Sequence, residues 1–208
     1  MGRRILHLRN GGPGFPVDLT SFCEGATPRW EITHDGALLD ISGTDRLHGP
    51  GLDGAATLCL RAGGATGGAG PTVLAARLAS RLAQSWGGGI YVVSEGSVGA
   101  FLAVFPILFL PALPREVDRL RQLGVRSFGD LQAVPRPLLK AVFGDRGGEL
   151  ADEARGVSGR TLRRGEAAGR DETSGLELVA GIRLARPLND GPAERALRRG
   201  LALRALAR

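Results

Sequence analysis

Two carboxylates, Asp35 and Asp40, flank the apolar middle of EITHDGALLDISGT, which runs from Glu31 to Thr44. A strand that carries carboxylates at its end can hold divalent ions, and a pair of such ions can neutralise a triphosphate and activate an attacking hydroxyl. That chemistry needs several oxygen ligands held together. The histidines His7, His34 and His48 show no metal-ligand spacing. Cys23 and Cys59 lie too far apart in sequence to form a paired zinc motif, and read as reduced cytosolic thiols. GGATGGAG is glycine-rich like a phosphate loop but lacks the G-K-[ST] that completes one, so its glycines read as a trimmed turn. No Ser/His/Asp nucleophile elbow is present.

Phosphate binding is the other chemistry in reach. The net charge is +6, almost all of it from arginine, and Lys140 is the single lysine. Guanidinium groups suit bidentate phosphate contacts, while a GC-rich coding bias would write the same arginines, so both readings stay open. In AVPRPLLK, Arg136 and Lys140 stand one helical turn apart and can reach a phosphate. In the last stretch Arg195, Arg198, Arg199, Arg204 and Arg208 oppose only Glu194. A solvated helix face is the plainer reading of each group.

The elements that must position these groups follow from pattern. RRILHL (3–8) is a short strand, ended by the breakers NGGPGFP. GALLDIS (36–42) is apolar on both faces, as a central strand would be. GLDGAATLCLRAG leans to a short helix, and GGATGGAGPT is too rich in glycine to assign. Pro71 opens a helix in which Leu74, Leu78 and Leu82 recur every four residues, Arg77 and Arg81 share a face, and Gly87 is the stop. GIYVVSE is a strand. AFLAVFPILFLPAL has 14 residues and two prolines. It is too short for a membrane helix of about 20 residues and reads as buried strand or loop and a turn. Short helices follow. Pro114 starts one with Val117, Leu120 and Leu123 inside. Ser127 and Asp130 form a capping box for the next. RPLLKAVFG and GELADEARG complete four. Residues 159–175 lack an apolar period and read as a linker, followed by a strand and a basic helix. The N-terminus has no long apolar core, so no signal peptide is expected.

Five segments in order resemble the Y-family translesion DNA polymerases. THDGALLDISGTDRLHG resembles their palm pattern S-I-D-E-A-F-L-D-V-T-G-T-x-x-L-F-G. GPTVLAARLAS resembles A-P-N-K-L-L-A-K-I-A-S, and AFLAVFPILFLPAL resembles F-L-A-P-L-P-V-x-x-L-P-G. LRQLGVRSFGDLQAVPRPLLKAVFG is similar to the thumb pattern L-x-x-L-G-I-x-T-x-G-D-L-A-x-L-P-x-x-L-L-x-x-x-F-G, the most specific of the five. The end of the chain resembles the first strand and helix of a little-finger domain. The resemblance implies an α+β protein: a reduced palm without fingers (1–104), a helix-hairpin-helix thumb (105–160), a linker (161–175) and a truncated little-finger strand and helix (176–208).

The departures from that family bear on function. Its first carboxylate follows the opening strand, where this chain has Arg9. Its adjacent D-E pair is Asp35 and Gly36 here, and its triphosphate lysine falls at Val73. Asp35 alone remains of the carboxylates, and Asp40 resembles a framework aspartate. The fingers shrink to residues 10–30. The first thumb hairpin reads PALPRE instead of G-x-G, a change similar to that in the catalytically inactive ImuB-type proteins. The resemblance therefore implies a non-catalytic, DNA-binding or scaffolding protein of translesion synthesis in the cytoplasm. No catalytic residue and no cofactor are expected, and Mg²⁺ only if polymerase activity persists. The implied partners are the DNA backbone and, by family resemblance, a replicative-type polymerase, a recombinase or a sliding clamp, with no membrane. The alternatives are a divergent DNA-directed DNA polymerase and a decayed gene fragment.

Overall fold

The computed structural model describes residues 2–9, 15, 18–157, 160–163 and 165, the side chains of Gly51 and Leu52 excepted. The expected strand and helix at 176–208, with Arg195, Arg198 and Arg199, lie outside the described residues.

The first half is a five-stranded sheet. β1 (Ile5–Arg9), β2 (Trp30–Thr33), β3 (Gly36–Asp40), β4 (Thr66–Gly70) and β5 (Ile90–Val92) are ordered β2-β3-β1-β4-β5. All neighbours are antiparallel except β4 and β5, which run parallel. The register sets His7 opposite Leu38 and Arg9 opposite Gly36. Because side chains alternate, Ile5, His7 and Arg9 share one face, and Leu6 and Leu8 the other. Leu6 and Leu8 pack with Cys23 of α1 (Leu19–Ala26) and with Leu58 and Cys59 of α3 (Gly51–Arg61). Both thiols are free, and burial pushes each up to about 12, so they behave as core residues. The opposite face is covered by α4 (Val73–Ser85), which packs on β4 and β1. A short helix, α2 (Asp45–His48), follows β3; its buried His48 ring lies 2.7 Å from the Ala26 carbonyl.

One expectation is corrected here. GGATGGAG is not a trimmed turn, because its end forms β4, a fully buried inner strand. The glycines are required by helices pressing on both faces of this strand. A Cβ on Gly68 would fall 2.1 Å from the Ser80 amide nitrogen of α4, and one on Gly67 2.3 Å from Cys59 Sγ of α3. The span between β1 and β2 contains α1, capped by Asp18 accepting from the Ser21 amide. α4 begins two residues after Pro71, with Thr72 as its side-chain cap.

The second half is helical. The apolar run after β5 forms α5 (Val98–Ala103) and a single 3₁₀ turn at Ile107–Phe109, not a strand. α6 (Pro114–Gln122), α7 (Phe128–Ala133), α8 (Arg136–Phe143) and α9 (Asp145–Arg155) follow with short turns. The Ser127–Asp130 capping box is present in full, each side chain bonding the other's backbone amide. Leu123 is not inside: it caps α6 and is exposed. α8 and α9 approach closely because α9 carries glycines at the contact, where a Cβ on Gly147 would lie 2.2 Å from the Leu139 carbonyl oxygen. The helices share one apolar core with α4, so Leu78 and Ala79 join Leu102, Phe128, Leu131 and Leu150.

After α9 the chain returns to the sheet. Leu162 is buried against Ile5, Leu38, Val73 and Ala76. Arg160 pairs with Glu31 at 2.9 Å and accepts at its carbonyl from Arg3. The first residues of the expected linker are therefore packed on the sheet.

Candidate functional site

The tight β2–β3 turn delivers Asp35 to the end of β1. Its Oδ2 lies 3.0 Å from Arg9 Nη1, and its Oδ1 lies 3.3 Å from His7 Nε2, 3.9 Å from Arg77 Nη2 and 2.9 Å from the Thr33 hydroxyl, which donates to it. Arg9 and His7 reach this point because they occupy one face of β1. Arg77 comes down from α4, which lies over that face. One carboxylate thus gathers two guanidinium groups and an imidazole.

Burial works against the charge of Asp35, but His7, Arg77 and Thr33 outweigh it and hold the carboxyl well below the usual carboxylate range. Burial also dominates at His7, holding the imidazole below its ordinary value despite the pull of Asp35. The imidazole is accordingly neutral near pH 7. Its Nδ1 lies 2.6 Å from Ser80 Oγ, which is itself 2.8 Å from the Arg77 carbonyl. With its proton on Nε2 the neutral ring turns an N–H toward Asp35 at 3.3 Å, and the single Ser80 hydroxyl proton then goes either to Nδ1 or to the Arg77 carbonyl.

The residues do not fit the Mg²⁺ ions that the fold family implies. Arg9 extends a guanidinium onto the Asp35 carboxylate at 3.0 Å, so an ion there would have to displace it. Gly36 cannot be exchanged for the missing glutamate as the backbone stands. Its φ is +149°, and a Cβ would lie 1.8 Å from the Leu8 carbonyl oxygen. Val73, which the resemblance sets against the family's triphosphate lysine, is buried beside Leu162. Among the described residues no group of three or more His, Cys, Asp or Glu could hold a metal ion. Asp40 is a framework group: its Oδ1 accepts from the Ser42 amide at 3.0 Å.

The DNA-contact candidates lie elsewhere. Arg136 and Lys140 both reach over Gly148 of α9. Arg136 is already paired with Asp152 at 2.8 Å, while Lys140 is exposed. Sequence spacing did not reveal the convergence of His7, Arg9, Asp35 and Arg77. The period-two alternation of β1 could have placed His7 with Arg9, but Arg77 needed the helix–sheet packing.

Comparison with known proteins agrees with this architecture. DNA polymerase IV of Halorhodospira halophila is 34% identical over 146 residues, covering 68% of this chain and 41% of that protein. The crystal structure of DinB from Sulfolobus solfataricus superimposes with a TM-score of 0.55 at 18% identity, covering 72% of this chain and 46% of that one. The insertion ternary complex of Dbh DNA polymerase gives 0.54 at 19% identity, covering 70% and 44%. The chain spans less than half the length of these relatives. No protein-family model matches it. Among the described residues no helix is long and apolar enough to cross a membrane. In sequence and in fold, the chain is a Y-family polymerase-like protein, related to DNA polymerases of the DinB kind over about two thirds of its length.

Proposed function

We propose that this protein is a non-catalytic member of that relationship, ImuB-like in character, which binds DNA through backbone phosphates in translesion synthesis and DNA repair. The observation that carries the reading is the 3.0 Å Arg9–Asp35 pair. Nucleotidyl transfer in this fold needs carboxylates that hold two metal ions, and here a fixed cation neutralises the carboxylate that is left. The loss is supported by the backbone as well as the side chains, since Gly36 sits where a glutamate would collide with Leu8.

DNA binding is supported by the relatives, which are named DNA polymerases, and by the form of the helical half. The close α8–α9 pair, with glycines at its contact, suits a helix-hairpin-helix thumb that presents Arg136 and Lys140 to a phosphate. Residues 105–160 are the thumb in this reading, and the basic residues Arg195, Arg198 and Arg199 add to its electrostatic reach. A replicative-type polymerase, a recombinase or a sliding clamp is the protein partner implied by the family, and the cytoplasm is the implied location.

The test is primer extension on a primed template with Mg²⁺ or Mn²⁺, run beside a DNA-binding titration. The expected result is binding without nucleotide addition. Extension above background that disappears in Asp35→Ala would instead establish a divergent polymerase.

A further inference from the structure

The outer edge of β2 is an open row of hydrogen-bonding groups. β3 lies on one side of β2, and among the described residues no strand lies on the other. The hairpin closes through His34 and Asp35, so Thr33 and Gly36 exchange both backbone bonds, and two residues back Glu31 and Leu38 do the same. Arg29 keeps the alternation, since its carbonyl accepts from the Asp40 amide at 2.9 Å. The N–H and C=O groups of Trp30 and Ile32 therefore point away from β3. An edge of this kind is a template for another extended segment. WEIT has no proline or lysine to blunt it, and the Glu31 carboxylate is tied to Arg160 at 2.9 Å.

The chain itself arrives at this edge. At Gly165 it stands against Trp30, where a Cβ would lie 3.7 Å from the ring Cζ2. A cavity of about 440 Å³ opens beside that point, lined by Ala26, Pro28, Trp30, the exposed Leu47 and Gly165. Eleven positions on begins LELVAGIRL (176–184), bounded by Gly175 and Pro187. It alternates: Leu176, Leu178, Ala180, Ile182 and Leu184 fall on one side of a strand, with Glu177 and Arg183 on the other. Trp30 and Ile32 likewise share the face of the sheet that packs with α1 and α3. The leucine side of the segment would extend that apolar layer. Reach is no obstacle, because eleven residues span up to about 36 Å when extended and about 18 Å as a flexible chain, while β2 is only about 13 Å long.

We propose that the outer edge of β2 is a docking site for residues 176–184 of the same chain, which add a sixth strand to the sheet. The backbone groups of Trp30 and Ile32 supply the hydrogen bonds, and the cavity beside Trp30 takes apolar side chains of the incoming strand. The short tether keeps the segment at high effective concentration near the edge, so the contact forms within one chain. The basic residues that follow, Arg195, Arg198 and Arg199, then start from the sheet and not from the helical half. The inference stands apart from the question of nucleotide transfer.

The experiment is amide hydrogen exchange by NMR on the full chain, at two protein concentrations, for the wild type, Val179→Pro and Ala180→Pro. Successive residues of a strand donate to opposite sides, so one of the two prolines removes a donor that faces β2. In the wild type the amides of Trp30 and Ile32 should be protected, like those of Glu31 and Thr33, which bond to β3. At least one proline variant should speed exchange at Trp30 and Ile32 by about tenfold or more, on the scale of one hydrogen bond, and leave Glu31 and Thr33 unchanged. Cross-strand NOEs between Ile32 and residues 176–184 in the wild type read the same contact with no substitution, so a variant that fails to fold does not remove the test. The proposal is overturned if Trp30 and Ile32 exchange freely in the wild type, if no such NOE is found, or if both variants fold and keep the protection. Protection that grows with protein concentration, with NOEs between labelled and unlabelled chains in a mixed sample, would assign the edge to a second copy and also overturn it.

Discussion

Arg9 Nη1 on β1 stands 3.0 Å from Asp35 Oδ2 in the β2–β3 turn, and the Arg9–Gly36 pairing in the β1–β3 ladder brings them together. The register thereby closes an ion pair at the end of β1. The wild-type protein should therefore show the same melting temperature in millimolar Mg²⁺ and in EDTA. Asp35→Asn, which leaves the guanidinium groups facing no carboxylate, should destabilise by about 3 kcal/mol. Differential scanning fluorimetry with and without the ion checks both, and a Mg²⁺-dependent rise in the wild type would contradict the fit argued above.

Stability should fall in two steps on acidification. His7 has a folded pKa below its ordinary 6.5, so the unfolded chain takes up a proton first. Its contribution is complete above about pH 6.5 and is lost as pH drops below that value. Asp35 is also depressed, so its contribution is complete above about pH 4 and is lost only below it. Replacing His7 with leucine should remove the first step and keep the second. Urea melts across the pH range give the measurement, and an unchanged first step in that variant would assign it to another group.

Gly68→Ala should destabilise by about 3 kcal/mol or prevent folding, because the added methyl meets the backbone of α4, which cannot move without leaving the sheet. Gly96→Ala is the control, since nothing lies within 4 Å of a Cβ there. Equal melting temperatures for the two variants would mean that α4 sits farther from β4.

The helical half should need α5 in order to fold alone. Val98 and Leu102 of α5 are buried in the shared core, and Gly156 lies so close that a Cβ there would be 2.6 Å from Val98 Cγ2. A fragment of residues 95–160 should melt cooperatively, while 105–160, cut inside that core, should melt earlier and less sharply. Circular dichroism of the two fragments decides, and identical melts would move the boundary of the thumb past α5.

Duplex binding should depend steeply on salt. With about four phosphates neutralised, log K against log salt should have a slope near −3.6. Replacing Arg136 and Lys140 with alanine should lower that slope by up to about 2 and weaken all sequences alike. Asp152→Ala should tighten binding, because it releases Arg136 from its 2.8 Å pair. A double variant that binds as the wild type does would leave the second thumb turn without a DNA role.

The sequence by itself determined the elements whose signals are local. The Ser127–Asp130 box, Pro114 at a helix start, the glycine after α6 and the apolar spacing of α4 each act within a few residues, and each stands where the pattern put it. Tertiary structure alone decided three things. β4 is a strand because helices press on it from both sides, and glycine, a weak strand former by itself, is the residue that admits them. Leu162 is anchored because the chain returns to the sheet after α9, which no local period records. Asp35 is a partly buried hub because β1, the β2–β3 turn and α4 meet there. Those groups are brought together across dozens of residues by strand register and helix packing, and contacts at that separation leave no trace in the spacing of neighbouring residues.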